Sequence, residues 1–308
     1  MLSVVILTYS ERRLNDFREL LDSIDKQEYP NLEVIIVVEK SRTLSDFALR
    51  YDTKYKKRVY FTAEKLGVSR ARNVGVSLAS GELIAFVDDD ALLPPEWSVA
   101  MVENFAAHPN AIGVTGKAIP LAESTVLRGF PFSLYWALGC NGDGNQFAHY
   151  THFASGVNMA FRREAFGQHR FELDIMGDSR SRARIHRGLP NDENDFAVRL
   201  TTDLQRPILY TPDVVVFHKV NRERTTPVFI ARYSFWQGFA EGRYGRNPKW
   251  RRARSQSYET AYRNLMLDLS SLREGVKPFV HRIAILTTAI MFVLLGILAW
   301  ELVPTVSK

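Results

Sequence analysis

A single cysteine, Cys140, stands among 308 residues, so the chain builds no internal disulfide and fits a reducing compartment. Internal repeats and low-complexity tracts are also missing, which excludes solenoids and fibrous chains. Nothing basic precedes the first apolar run, and no small-residue cleavage site follows it. Met1-Leu-Ser-Val-Val-Ile-Leu7 therefore reads as a first β-strand rather than a secretory leader. Charge is missing from one long stretch, Ile283–Trp300. Elsewhere the composition is that of an ordinary folded protein, 46% hydrophobic and 24% charged. It is enough for one large domain or two small ones.

The uncharged run is just long enough to cross a bilayer, and Leu302-Val303 extends it past Glu301. It lacks the amphipathic pattern of a surface helix. Arg273, Lys277, His281 and Arg282 precede it, and only the basic Lys308 follows. The positive-inside bias then places everything before residue 283 in the cytoplasm. The expected layout is a single-pass cell-membrane protein with its catalytic domain on the cytoplasmic side. Net charge is +6, but Lys219–Arg254 carries ten Lys/Arg against two acids, leaving the remainder at −2. Basic character thus belongs to one segment, and no nucleic-acid partner is expected. Within it Phe229, Arg232, Tyr233, Trp236, Phe239 and Arg243 recur at helical steps. Such a face suits a membrane interface with anionic headgroups; packing on the catalytic domain suits it equally.

The first hundred residues alternate strand and helix signals. Strands are expected at Ser3–Thr8, Leu32–Val38, Arg58–Thr62 and Leu83–Val87, and helices at Leu14–Ser23, Asp46–Tyr55 and Ser69–Ala79. Continuous apolar strands separated by helices indicate a mostly parallel α/β sheet, Rossmann-like, with helices on both faces. Farther on, Phe153–Arg162 reads as a strand leading into a helix at Glu164. Arg180–Arg187 reads as a mobile loop, Asn191–Thr201 as a helix, and Val214–Phe217 as a strand ending on His218. Ligands of such sheets sit beyond the carboxyl ends of the strands. Thr8-Tyr9, Glu39-Lys40 and Asp88–Asp90 all fall there.

Asp88-Asp89-Asp90 is the most informative of these ends. Three consecutive acids closing a buried strand repel one another and call for a cation. Asp88 and Asp90 point the same way along an extended chain. Hard oxygen ligands in that geometry suit Mg²⁺ or Mn²⁺ sharing its shell with substrate phosphates. A solvated acidic turn is the alternative for such a run taken alone.

Four segments occur in order: Val4-Val-Ile-Leu-Thr-Tyr9, Leu32-Glu-Val-Ile-Ile-Val-Val38, Gly67-Val-Ser-Arg-Ala-Arg-Asn-Val-Gly75 and Ala79-Ser-Gly-Glu-Leu-Ile-Ala-Phe-Val-Asp-Asp-Asp90. Gly156-Val-Asn-Met-Ala-Phe-Arg-Arg-Glu164, Asp192-Glu-Asn-Asp-Phe-Ala-Val-Arg-Leu200 and Asp213-Val-Val-Val-Phe-His218 continue the series. Together they resemble the family 2 glycosyltransferases of GT-A fold over roughly residues 1–220. The resemblance implies a nucleotide-sugar donor, a divalent metal (Mn²⁺ or Mg²⁺), and displacement with inversion at the anomeric carbon. It places Asp88 near the ribose, with a share in the metal, and Asp90 on the metal; Asp89 aids either role or faces away. It puts the base at Asp192-Glu193, a reversal of the family's usual Glu-Asp order, with Glu193 the first choice and Asp192 the second.

Other roles carried over are softer. Thr8, Tyr9, Glu39, Gly67, Arg70, Arg72 and Asn73 would contact the donor, with Glu39-Lys40 replacing the paired aspartates common after the second strand. His218 would complete the metal shell. Residues 221–282 form a membrane-proximal helical segment and 283–303 a transmembrane helix. A lipid-linked acceptor, of polyprenyl or dolichyl phosphate type, follows from that neighbourhood. The Gln-x-x-Arg-Trp signature of chain-polymerising relatives is absent, so transfer is expected to be non-processive. A sugar nucleotidyltransferase would need a Gly-rich loop where Thr8-Tyr-Ser-Glu-Arg-Arg13 has no glycine. An inactive membrane scaffold would have no use for both acidic clusters.

Overall fold

Apolar β-branched runs fold as the innermost strands. β1 (Leu2–Thr8) and β2 (Leu32–Glu39) are buried at nearly every position, as strands covered on both faces must be. The computed structural model describes residues 1–122, 126–127, 130–141, 146–172, 192–251, 253, 268 and 276–302. β1 pairs in parallel with β2 and with β4 (Leu83–Asp88), and β2 with the edge strand β3 (Lys56–Thr62). Thr8 lies opposite Val38 and Leu7 opposite Asp88. The carboxyl ends of β1, β2 and β4 therefore finish at one level.

Between these strands run α1 (Leu14–Asp25), α2 (Arg42–Arg50) and α3 (Val68–Leu78). After β4 come a short strand β5 (Ala91–Leu92), α4 (Trp97–Ala107) and β6 (Gly113–Leu121). Phe17, Leu20, Leu44, Trp97 and Met101 pack α1, α2 and α4 on the sheet face of Val4, Ile6, Val34 and Ile36. Val76 of α3 and Phe196 of α5 (Asp192–Leu204) cover the other face, with Val5, Ile35 and Phe86. Helices lie on both faces, as expected. α2 differs from its expected span of Asp46–Tyr55. Ser41 accepts a hydrogen bond from the Leu44 amide and starts the helix earlier, and Tyr51 is already extended.

The second half of the sheet is mixed. β7 (His149–Thr151), β8 (Asn158–Arg162) and β9 (Ile208–Lys219) complete nine strands among the described residues. β8 runs antiparallel between β4 and β6, β9 parallel to β6, and β5 and β7 antiparallel to β9. The helix expected at Glu164 is a single 3₁₀ turn, Arg163–Phe166, and the strand expected at Val214–Phe217 is the end of the longer β9. The loop expected at 180–187 lies outside the described residues.

Two further helices follow. α6 (Pro227–Gly245) opens on Thr226, whose hydroxyl accepts from the Phe229 amide, with proline at its first position. α7 (Val276–Glu301) contains Arg282–Glu301, twenty residues of mean hydropathy 2.5, long and apolar enough to cross a membrane. Ile230 packs near Ile285 and Ala289, Gly238 on Val293 and Gly242 on Trp300, so the two helices run in the same direction. Their backbones touch: a Cβ on Gly238 would lie 1.9 Å from the Val293 carbonyl oxygen, and one on Gly296 2.0 Å from that of Phe235. Small residues at such a crossing let van der Waals packing replace side-chain interdigitation. Gly238→Leu or Gly296→Leu is expected to cost about 2–3 kcal/mol through overpacking. Thermal unfolding of the purified protein reads this as a fall in Tm, whereas Gly167→Ala, with only a contact of 3.4 Å to the Glu164 carbonyl oxygen, stays near wild type.

Candidate active site

Asp88 ends β4, and the chain turns through Asp89 and Asp90 into β5. β5 is only two residues long, but it pairs Ala91 with His218 and Leu92 with Phe217. That strap brings the end of β9 to the acidic turn. His218 Nε2 lies 3.1 Å from Asp90 Oδ1, and Asp88, Asp90 and His218 each offer a ligand atom within 4.8 Å of the others. Two carboxylates and an imidazole are a donor set that Mn²⁺ and Mg²⁺ accept, so the residues present fit a divalent cation. Burial opposes charge on both members of the Asp90–His218 pair. Their hydrogen bond overrides it, holding Asp90 at about 2 and raising His218 to about 10. Arg13 adds a third charge, its Nη2 3.2 Å from Asp90 Oδ2.

Asp89 turns the other way. It is buried and accepts from Thr8 Oγ1 at 2.8 Å and from Arg13 Nη1 at 2.6 Å. Burial raises its pKa to about 6 against the pull of Arg13. Thr8 and Asp89 thus tie β1 to the acidic turn. Glu39 is engaged similarly: its Oε2 accepts from the amides of Leu66 and Gly67 at 2.9 and 3.3 Å. Gly67 adopts φ +84°, a conformation that strains any side chain, and there the chain enters α3. Asn73 exchanges two hydrogen bonds with the Phe171 backbone. Tyr9 is 55% exposed, and Arg70 is half-buried on α3.

A second acidic cluster forms where α5 begins. Arg72 Nη1 donates to both oxygens of Asp192, at 2.8 and 2.7 Å, and Ser69 Oγ to one of them at 3.0 Å. Glu193 Oε2 lies 3.7 Å from the same guanidinium. The backbone makes room for this at Gly156, where a Cβ would sit 2.8 Å from Arg72 Nη2 and 3.5 Å from Glu193 Cδ. Burial alone would neutralise Asp192, but Arg72 and its hydrogen bonds hold it ionised, below the usual carboxylate range. Glu193 goes the other way. Burial first, then the charge of Asp192, raises it to about 8. Its side chain is 21% exposed, while that of Asp192 is sealed.

Three residues of this neighbourhood escaped sequence reasoning. Arg13 lies past the end of β1 with no local pattern to mark it. Cys140, noted above only for its isolation, places its Sγ 3.7 Å from His218 Nδ1. Tyr233, counted on the aromatic face of α6, stands in the field of Glu193 and Asp88; burial first, then those charges, raises its pKa to about 12. A cavity of about 500 Å³ lined by His152, Thr201, Arg206 and Lys249 contains none of these residues.

The fold is that of a GT-A glycosyltransferase. Residues 3–170 match the family model for glycosyl transferase family 2, and the chain belongs to that family. It is 28% identical over 246 residues to a glucosyl-dolichyl phosphate glucuronosyltransferase of Haloferax volcanii, covering 78% of this chain and 75% of that protein. Among solved structures it resembles a mannosyltransferase of Pyrobaculum calidifontis in complex with GDP-mannose and Mn²⁺, with TM-score 0.59 and 18% identity over 98% of this chain and 87% of that one. It also resembles Staphylococcus aureus TarS bound to UDP, with TM-score 0.54 and 19% identity over 79% and 71%.

The two acids at the start of α5 should separate by stability. Asp192→Asn strips the buried Arg72 guanidinium of its nearest carboxylate, leaving Glu193 at 3.7 Å as the counter-charge, and should cost about 1–3 kcal/mol. Glu193→Gln removes a side chain that is protonated near neutrality and should cost under about 1 kcal/mol. Denaturant unfolding of the two variants measures the difference.

Proposed function

We propose that this enzyme transfers a sugar from a nucleoside-diphosphate donor to a hydroxyl of a lipid-linked acceptor, a glycan carried on a polyprenyl or dolichyl phosphate type lipid, with inversion, at the cytoplasmic face of a membrane. The observation that carries this reading is the nearness of two unlike acidic clusters: Arg72, which holds Asp192 and lies by Glu193 at the start of α5, also feels the charge of Asp88, a member of the Asp88, Asp90 and His218 group. The activities and ligands named for the Haloferax, Pyrobaculum and Staphylococcus proteins support the substrate class. The catalytic part is assigned to residues 1–220.

Asp90, Asp88 and His218 would hold a divalent cation. Such an ion, when bound, neutralises the charge that grows on the leaving diphosphate. The nucleotide lies over the ends of β1 and β2, against Tyr9, the Glu39–Gly67 turn and Arg70, with Asp88 toward the ribose. Arg72, Asn73, Thr8 and Asp89 act by positioning, since each is committed to a partner inside the protein. Glu193 takes the proton of the acceptor hydroxyl as that oxygen attacks the anomeric carbon from the side opposite the diphosphate. One C–O bond forms and one breaks; the electron pair leaves with the diphosphate and the proton stays on Glu193. Asp192 remains ionised on Arg72 and keeps Glu193 basic.

Asp90→Ala should abolish transfer and the response to added Mn²⁺; unchanged turnover would reject the metal site. Glu193→Gln should lower kcat by about 10²–10⁴-fold with donor affinity, read by calorimetry, within about threefold of wild type. The pH profile has a defined sign. A base must be deprotonated, so kcat/KM for the acceptor should fall with decreasing pH below the Glu193 pKa of about 8 and level off above it. In Glu193→Gln the residual rate should lose that limb.

A further inference from the structure

The apolar run near the end of the chain is not a free anchor. At its amino-terminal end, Ile285 and Ala289 pack into one buried cluster with Leu134, Leu138 and Cys140. There the buried Arg282 guanidinium lies 5.8 Å from the Phe132 ring centroid. At the other end, Trp300 meets Phe239 at 5.2 Å between ring centroids and shares a buried cluster with Val198 of α5. Glu301 pairs with Arg246. Between the ends, the glycine crossings press α7 onto α6. A helix held at both ends and along its length has its axis along the surface of the catalytic part.

Resting on the membrane reading above, we propose that α7 lies in the plane of the membrane, one face on α6 and the other in lipid, instead of crossing the bilayer. Ile290, Met291, Leu294, Leu295, Leu298 and Leu302 are 44–83% exposed, and their spacing puts them on one stripe. Opposite them, Ile285, Ala289, Gly296 and Trp300 are buried. Both faces are apolar because both leave water, one against protein and one against hydrocarbon. This is why the sequence of α7 carries no helical polarity pattern. Were α7 to cross, α6 would be carried to the same depth with its exposed Arg232 and with Glu241 and Arg243, a cost that hydrocarbon imposes on every charge.

The occupant of the stripe is lipid, not a second copy. The exposed Arg246 and Arg251 flank the end of the helix pair, with the half-buried Lys249 between them, inside the segment of charge +8. Anionic headgroups complement that charge, whereas a second copy would bring a like one. The arrangement also bears on transfer. α6 packs Tyr233 against Trp136 of the catalytic part and its glycines against α7, so one helix thickness, about 10 Å, separates the catalytic part from the lipid-facing helix.

The test uses the full chain in vesicles of phosphatidylcholine and phosphatidylglycerol, with Cys140 buried and left in place. Reporter cysteines are introduced as Lys26→Cys on α1's exposed end and as Ser307→Cys beyond α7, and labelled with a membrane-impermeant maleimide. Equal labelling of both in sealed vesicles that float with the protein is expected. Labelling of Ser307→Cys only after detergent, while Lys26→Cys reacts at once, would overturn the in-plane placement and leave the membrane reading standing. Failure to float, with a dimer in light scattering, would overturn both the lipid occupant and the membrane reading. Leu294→Lys combined with Leu298→Lys should lower the floating fraction at least tenfold with an unchanged near-ultraviolet dichroism spectrum; undiminished flotation by that folded variant would overturn the stripe as the lipid contact. Same-side labelling without transfer to a lipid-linked acceptor would count against the acceptor alone.

Discussion

A carboxylate taken out of water must find a cation or several donors, and this cleft is built around that requirement. Asp89 and Asp90 are met by Arg13 and His218, and Asp192 by Arg72 and Ser69. Each partner arrives from a distant part of the chain: past β1, the end of β9, and the middle of α3. The pairing of Ala91 with His218 is therefore more than an edge contact. It fixes the histidine that answers Asp90 and so fixes the ligand set offered to a metal.

The same electrostatics divide the labour between adjacent residues. Asp192 and Glu193 differ by one position and one methylene, yet one is held ionised and the other close to a proton. Arg72 Nη1 donates to both oxygens of Asp192 and stands farther, at 3.7 Å, from Glu193. The less closely held acid then feels burial and a neighbouring negative charge, both of which raise its pKa. The general base proposed above rests on that asymmetry, which the reversed order of the two acids does not disturb.

α6 joins this chemistry to the surroundings of the enzyme. Its aromatic face packs on the catalytic part, as Phe239 with Val198 and Tyr233 with Trp136 show, while its glycines receive α7. Of the two alternatives left open by the sequence, the packed helix is thus seen on one side of the element, and the interfacial helix belongs to the placement proposed above. In that placement the charges on α6 stay at a boundary rather than inside hydrocarbon.

Local sequence determined β1 to β4, since a continuous apolar β-branched run has few other homes, and it placed Thr8, Glu39 and Asp88 at strand ends by direct reading; β5, β6 and β7 carried no such signal. It also marked Asp88, Asp90, Asp192, Glu193 and His218 as a set, through their order along the chain. Some structure was legible only in part: the periodicity missed the start of α2, which Ser41 caps, and β9 was seen only by its last residues. Tertiary structure alone decided which acids face the cleft. Periodicity says that Asp89 points away from Asp88 and Asp90, but not that Arg13 and Thr8 wait for it there. It alone decided that Arg72 and Asn73 serve the protein's interior, and that Tyr233 and Cys140 reach the site. The orientation of α7 belongs to the same class. Hydropathy measures how much a segment avoids water, and lipid and protein satisfy that avoidance equally; only the packed neighbours on α6 reveal which face meets which.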